Sequence, residues 1–272
     1  MRLSDNFADQ KKYMSSHERA HHDEANNVTY QRCQYAYEFA RPLIAGKKVL
    51  DVGCGLAYGT ALMAGAASSI TGIDYDGETV EDNRKRYNDI SNLDFKHSVI
   101  PPLPFADQSY DVITAFQFIE HIQPRKEFIK ECLRVLKPGG TLLVTTPNVK
   151  MSLARNPFHV HEYTFDEMKN EVSTLTEKFE LQGLNGNERV NKYYSENGRL
   201  VRMILRFDIF KMHRWLPSAW LSKPYNLITS LMRNKLKEKV DQTTDITTAD
   251  FFLQKQDLDH CWDIYLIANK IT

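Results

Sequence analysis

The chain has 272 residues, of which 42% are hydrophobic and 26% charged, enough apolar content to bury the core of one large domain. Lysine plus arginine equal aspartate plus glutamate at 35 each, which argues against a protein built mainly to coat nucleic acid. No apolar run reaches the roughly 20 residues that span a bilayer.

The opening stretch "MRLSDNFADQKKYMSSHERAHHDE" has no apolar core of the secretory kind. Cys33, Cys54, Cys132 and Cys261 are scattered, without a CxxC, and read as free thiols of a reducing compartment. A cytoplasmic location is expected on both grounds. "NNVTYQRCQYAYEFARPLI" carries apolar residues at helical spacing, with Pro42 expected to close the helix. Strands and helices then alternate. "KKVLDVG" reads as a buried strand, "TALMAGAA" as a small-residue helix and "SSITGIDYD" as a second strand. "ETVEDNRKRYNDI" reads as a polar helix and "LDFKHSVI" as a third strand. "YDVITAFQF" is a fourth strand, "RKEFIKECLRVLK" a helix, "PGG" a turn and "TLLVTTPN" a fifth strand. This rhythm predicts a parallel sheet with helices on both faces.

After residue 150 the rhythm changes. "TFDEMKNEVS" predicts a helix capped by Thr164, with Glu167 as its capping-box partner. "FELQGL" reads as a sixth strand and "CWDIYLIANK" as the final one. Between them, residues 188–250 do not alternate, and they predict a helical cap inserted before the sheet is completed. The main domain would then comprise residues 1–187 and 251–272.

The loop in "VLDVGCGLAYGT" follows the first strand, where open parallel sheets bind ligands. Gly53 and Gly55 allow a sharp turn and a close approach to a ligand. A phosphate loop needs GxxxxGK[ST], and no such lysine and hydroxyl pair follows. A dinucleotide loop needs GxGxxG, and here one residue too many precedes Gly59. Asp51 separates the remaining readings. An acid there repels a pyrophosphate but suits a cationic ammonium and sulfonium. That ligand is S-adenosylmethionine, with its ribose on Asp74 at the end of the second strand.

Taken in order, "VLDVGCGLAYGT", "ITGIDYD", "LPFADQSYDVITAFQFIEHI" and "RVLKPGGTLLVTTPN" resemble the class I S-adenosylmethionine-dependent methyltransferases, over roughly residues 30 to 150. The resemblance implies an α/β fold, a Rossmann-like seven-stranded sheet, mostly parallel with an antiparallel last strand. It implies that Asp51, Gly53 and Gly55 lie along the methionine part of the cofactor; Cys54, which also reads as a small buried residue, and Tyr58 are further cofactor-binding candidates. Asp74 would bind the ribose hydroxyls, Tyr75 would flank the adenine and Gln117 would close the pocket. Many relatives carry an aspartate after the third strand that reads the adenine amino group; here Ser98 and Val99 stand in that region. Arg32, which shares a helix face with Tyr35, is a further candidate, facing the cofactor carboxylate.

The acceptor side is carried by histidines. His121 follows Glu120 just past the fourth strand. His159 and His161, in "NPFHVHEYTFDEM", would share one face of an extended segment, with Val160 and Glu162 turned away. Each of the three, along with Glu162, is a candidate base for a hydroxyl acceptor. The tract resembles one in methyltransferases of bacterial glycan and natural-product pathways, which points to a sugar, glycan intermediate or small metabolite. Three rival readings are carbon or nitrogen methylation of a quinone-like or other small molecule, a non-catalytic cofactor-binding partner subunit, and a nicotinamide-dependent oxidoreductase. His17, His21, His22 and Glu18 have spacings compatible with a metal on one helix face, but a solvated polar helix accounts for them, and no metal is assigned. Residues 199–239 are basic and aromatic, from Arg199 through Trp215 and Trp220 to Lys239. They suit a cap over the cleft, with peripheral membrane contact or dimerisation as alternatives.

Overall fold

The computed structural model describes residues 27–152, 156–205 and 245–271. The expectations for His17, Glu18, His21 and His22, and for most of the basic aromatic stretch, fall outside those residues.

The chain enters through helix α1 (Asn27–Ile44), strand β1 (Lys48–Val52), helix α2 (Tyr58–Ala64) and strand β2 (Ser69–Asp74). It continues through α3 (Gly77–Arg86), β3 (Leu93–His97), β4 (Tyr110–Phe116), α4 (Arg125–Val135) and β5 (Leu136–Pro147). Helix α5 (Phe165–Ser173), β6 (Phe179–Gly186), α6 (Glu188–Leu205), β7 (Phe251–Gln254) and β8 (Asp263–Asn269) complete the described elements. The strands form one sheet in the order β3-β2-β1-β4-β5-β8-β6-β7. The first five run parallel, and β8 inserts antiparallel between β5 and β6. Both faces of the sheet are covered, so β1 and β4 are buried almost without a break rather than alternating. On one face α1, α2 and the start of α6 supply Tyr37, Ile44, Met63 and Val190 to the core. On the other, α4 and α5 supply Phe128, Ile129, Met168 and Val172.

Among the described residues the sheet has eight strands rather than the expected seven. The extra one, "FFLQ", is four residues long and too short to carry a period of its own; it forms by antiparallel pairing along β6, from Gly183↔Gln254 to Gly186↔Phe251. Two smaller expectations also change. Helix α1 runs past Pro42 to Ile44, because Ile44 is completely buried and its packing outweighs the hydrogen bond that proline cannot make. The "PGG" turn is drawn into β5, where Gly139 takes φ 75° and its N–H donates to the Lys270 carbonyl at 3.0 Å. The capping box on α5 forms as expected: Thr164 and Glu167 exchange side-chain to backbone bonds in both directions.

Strand order reverses between β1 and β4, whose neighbours carry the chain in opposite directions across the sheet. The crevice outside the carboxyl ends of these strands is where such sheets bind ligands. Helix α1 ends just before β1 begins, so its first turns lie at that same edge.

Candidate active site

The loop after β1 is shaped by its glycines. Gly53 adopts φ +73°, and a Cβ there would lie 2.3 Å from the Phe118 ring. Gly59 plays a different part: a Cβ on it would lie 2.3 Å from the Tyr37 ring of α1. The displaced third glycine is therefore a helix-packing residue that lets α2 close onto α1. The loop backbone is also pinned from outside. Gly55 N–H donates to Asp74 Oδ2 at 2.9 Å, and Asn83 of α3 donates to the Gly55 carbonyl at 2.7 Å.

Asp51 is fully buried at the end of β1. Its two carboxylate oxygens accept from Thr60 Oγ1 at 2.6 Å and Thr114 Oγ1 at 2.7 Å. Burial pushes its pKa up to about 6, against the lowering effect of the two threonines. In this geometry the carboxylate ties β1 to α2 and β4, and a negative charge there acts on the cleft through its field. Asp74, also buried, accepts from Gly55 and from the Asp76 N–H at 3.0 Å. Its neighbour Tyr75 is half-buried, and the Tyr75 carbonyl contacts His97 Nε2 at 2.7 Å. Ser98 donates its N–H to the Asp74 carbonyl at 2.9 Å, which keeps Ser98 and Val99 beside the β2 terminus. Gln117, with φ +52°, ends β4 in the left-handed region and donates its N–H to the Thr145 carbonyl at 2.9 Å. Gly53, Gly55, Asp74, Ser98 and Gln117 thus lie along one edge of β1 to β4. Cys54 sits just below it, buried against Val80 and Phe95. The Tyr58 ring meets Tyr30 at a tilt and Tyr37 edge-on, with centroids 4.8 and 5.8 Å away.

The other half of the edge holds the histidines. The segment around His159 is not extended: a turn returns the His159 N–H to the Asn156 carbonyl at 3.2 Å. Alternation therefore fails. Glu162, expected to turn away, meets His159 instead, with Oε1 2.6 Å from Nδ1. Ser152 donates to the other Glu162 oxygen. The His121 and His159 rings meet edge to face, 4.9 Å between centroids. Backbone bonds from Val160 and His161 to the Glu120 carbonyl, at 2.7 and 3.2 Å, lock the two loops together. Glu120 itself is buried and accepts from Thr146 Oγ1 at 3.0 Å. His161 goes elsewhere. Its ring packs on Tyr163 at 4.9 Å, and its Nε2 faces Glu167 at 3.9 Å.

Burial sets the charge state of this group. It raises the Glu120 pKa to about 7 and lowers that of His121 to about 3. The His161 pKa is lowered, first by burial and then by the nearby Arg125 charge. Burial alone would raise the Glu162 pKa; its contact with His159 brings it below the ordinary value.

Arg32, expected at the cofactor carboxylate, is committed to a different acid. Its Nε lies 3.2 Å from Asp263 Oδ2, and the guanidinium sits over the Tyr194 ring at 5.5 Å. Burial works against the Arg32 charge, and the Asp263 carboxylate, together with Tyr194, Cys33 and Glu120, more than restores it. The physical reason is topological: antiparallel β8 begins at the ligand edge, so Asp263 arrives beneath the first turns of α1. Sequence reasoning missed Asp263, Thr60, Thr114 and Asn83. Asp263 has a visible signal, an acid opening an otherwise apolar strand. Thr114 has none, since it reaches Asp51 only through the register of β1 and β4.

Comparisons with known proteins agree with this architecture. Residues 50–144 match the family model described as "Methyltransferase domain". A protein of Mycolicibacterium smegmatis named "Probable S-adenosylmethionine-dependent methyltransferase" is 39% identical over 153 residues, 54% of this chain and 58% of the relative. The "Ubiquinone biosynthesis O-methyltransferase" of Pseudomonas entomophila is 34% identical over 120 residues, 43% of this chain and 49% of the relative. The chain thus spans about half the length of the curated relatives it matches. Among solved structures, the cyclase SpnF superposes with a TM-score of 0.56 at 20% identity, over 89% of this chain and 81% of that one, a likeness of fold. Sheet, loop and relatives agree: over residues 50–144, which match the methyltransferase-domain model, the chain is similar to the class I S-adenosylmethionine-dependent methyltransferases.

Proposed function

We propose that this protein transfers a methyl group from S-adenosylmethionine to a hydroxyl oxygen of a small acceptor, a sugar, a glycan intermediate or a related metabolite. The observation that carries the reading is the placement of His159, His121, Glu120 and Glu162 together on the same strand edge as the glycine loop. Oxygen methylation needs such a group more than methylation of an unprotonated amine does, because the hydroxyl must lose a proton as it attacks.

The sulfonium is already activated, so the protein chiefly aligns the acceptor for in-line attack at about 3–3.5 Å. The acceptor oxygen forms a bond to the methyl carbon, and the carbon–sulfur bond breaks with its electron pair passing to sulfur. The hydroxyl proton goes to a base. Of the three candidate histidines, His159 has the surroundings of one: Glu162 holds Nδ1 at 2.6 Å, which fixes the ring and stabilises the imidazolium. His121, with a pKa near 3, is too weak a base at neutral pH and is a wall of the site. On the cofactor side, Asp74 takes the ribose hydroxyls, while Gly53 and Gly55 let the backbone approach the methionine tail. The O-methyltransferase name of the Pseudomonas entomophila relative supports oxygen as the acceptor atom.

Incubation with methyl-labelled S-adenosylmethionine and fractionated small molecules tests this reading. Alkali-stable label in methyl ethers supports it. Label found only on carbon or nitrogen contradicts oxygen transfer. Cofactor binding without transfer to any fraction favours a partner subunit.

A further inference from the structure

The histidine cluster has features that general-base chemistry leaves unexplained. Glu120, His121 and His159 each offer one donor atom, and these atoms lie within 4.8 Å of one another. A single base needs neither the second imidazole nor a buried glutamate beside it. A divalent ion needs this donor set: imidazole nitrogens suit the borderline transition metals, and a third, anionic oxygen ligand offsets their charge.

The surroundings of the donors carry the argument further. A metal-bound histidine almost always gives its other ring N–H to a carboxylate or a backbone carbonyl, which fixes the tautomer. Both histidines here have that arrangement. His121 Nδ1 faces the Phe158 carbonyl at 3.1 Å, and His159 Nδ1 faces Glu162 Oε1 at 2.6 Å. With Nδ1–H committed in each ring, the coordinating lone pair is on Nε2. Glu120 is oriented in the same way, one oxygen accepting from Thr146. Ser152 in turn fixes Glu162. The Asn156 amide, 2.9 Å from His159 Nε2, is the contact that an incoming ion would replace.

We infer that Glu120, His121 and His159 form a binding site for a divalent transition-metal ion of the zinc type, with Glu162 and the Phe158 carbonyl orienting the two histidines. The three ligands leave coordination positions open on the ion, as catalytic sites do. The chemical role rests on the reading of oxygen methylation. A hydroxyl bound to the ion has its pKa lowered and releases its proton to solvent, and the resulting alkoxide attacks the methyl group. In that state His159 is a ligand, and the ion takes over the activation that a free His159 would otherwise provide.

The test uses full-length protein stripped with a chelator and titrated with Co2+ as a spectroscopic stand-in for zinc. The site predicts saturation at one Co2+ per chain with visible ligand-field bands of nitrogen coordination, displaced by Zn2+ and not by Mg2+. His121→Ala and His159→Ala should each abolish the bands. Glu162→Gln, which keeps all three ligands, should weaken affinity by about 10- to 100-fold. His260→Ala, an exposed histidine next to Asp257, should leave binding unchanged. Thermal melting and S-adenosylmethionine binding of each variant check that it is folded. The inference is overturned if the wild-type protein shows no saturable Co2+ binding, or if folded His121→Ala and His159→Ala variants keep it. Loss of cofactor binding by the wild type would instead strike the methyltransferase reading, so the two failures are distinguishable.

Discussion

Asp51 shows how one buried side chain can couple folding to ligand binding. Its pKa rises from 3.8 to about 6 on burial, so the folded protein holds this proton more tightly than the unfolded chain. The contribution to stability is therefore fully present below about pH 4 and is lost as pH rises through about 6, an amount of about 3 kcal/mol. A cationic ligand nearby favours the ionised form, so cofactor affinity should rise over the same interval. Asp51→Asn should flatten both dependences, as read by denaturant titration and by calorimetry from pH 4 upward. If the variant keeps the wild-type slopes, Asp51 is not the titrating group. Asp74→Ala tests the ribose contact. Losing charge-assisted hydrogen bonds of about 1.5–3 kcal/mol should weaken S-adenosylmethionine binding by roughly 10- to 100-fold. Unchanged affinity would remove Asp74 from the site. Asp51 and Asp74 were legible in the sequence because each ends an apolar strand next to glycine or a turn. The bond between His159 and Glu162 was not, because it depends on the turn at Asn156, which no period in "NPFHVHEY" announces.

At the scale of elements, the two outer glycines of the loop have separable jobs. Gly59→Ala would push a methyl group into the Tyr37 ring, with its Cβ 2.3 Å away. The expected cost is about 1–3 kcal/mol, seen as a lower melting temperature, because α2 must move off α1. Gly53→Ala meets Phe118 at the same separation and also needs φ +73°, so it should damage cofactor binding as well as stability. If Gly59→Ala instead lost cofactor binding at unchanged stability, the packing assignment would be wrong. On α5, Thr164→Ala removes the capping box and should cost about 1 kcal/mol. That cap was readable from "TFDE" alone, since capping is local chemistry. Strand β7 was not readable, since its four residues become a strand only through β6.

For the whole molecule, alternation of strands and helices was enough to give the parallel half of the sheet. Its antiparallel completion rested on the family resemblance, and the β8 placement then explains what the sequence concealed. By bringing Asp263 to the ligand edge, β8 draws in Arg32, far away along the chain, and turns a presumed cofactor contact into a buried ion pair. Arg32→Ala should therefore act first on stability, by about 3–5 kcal/mol for stranding a buried acid, and less on cofactor affinity. The central claim is that this sheet edge binds S-adenosylmethionine rather than a dinucleotide. Calorimetric titration of the full-length protein with S-adenosylmethionine, S-adenosylhomocysteine and NAD tests it most directly. The account predicts saturable binding of the first two at one per chain and none of NAD; saturable binding of NAD with neither of the others would contradict it.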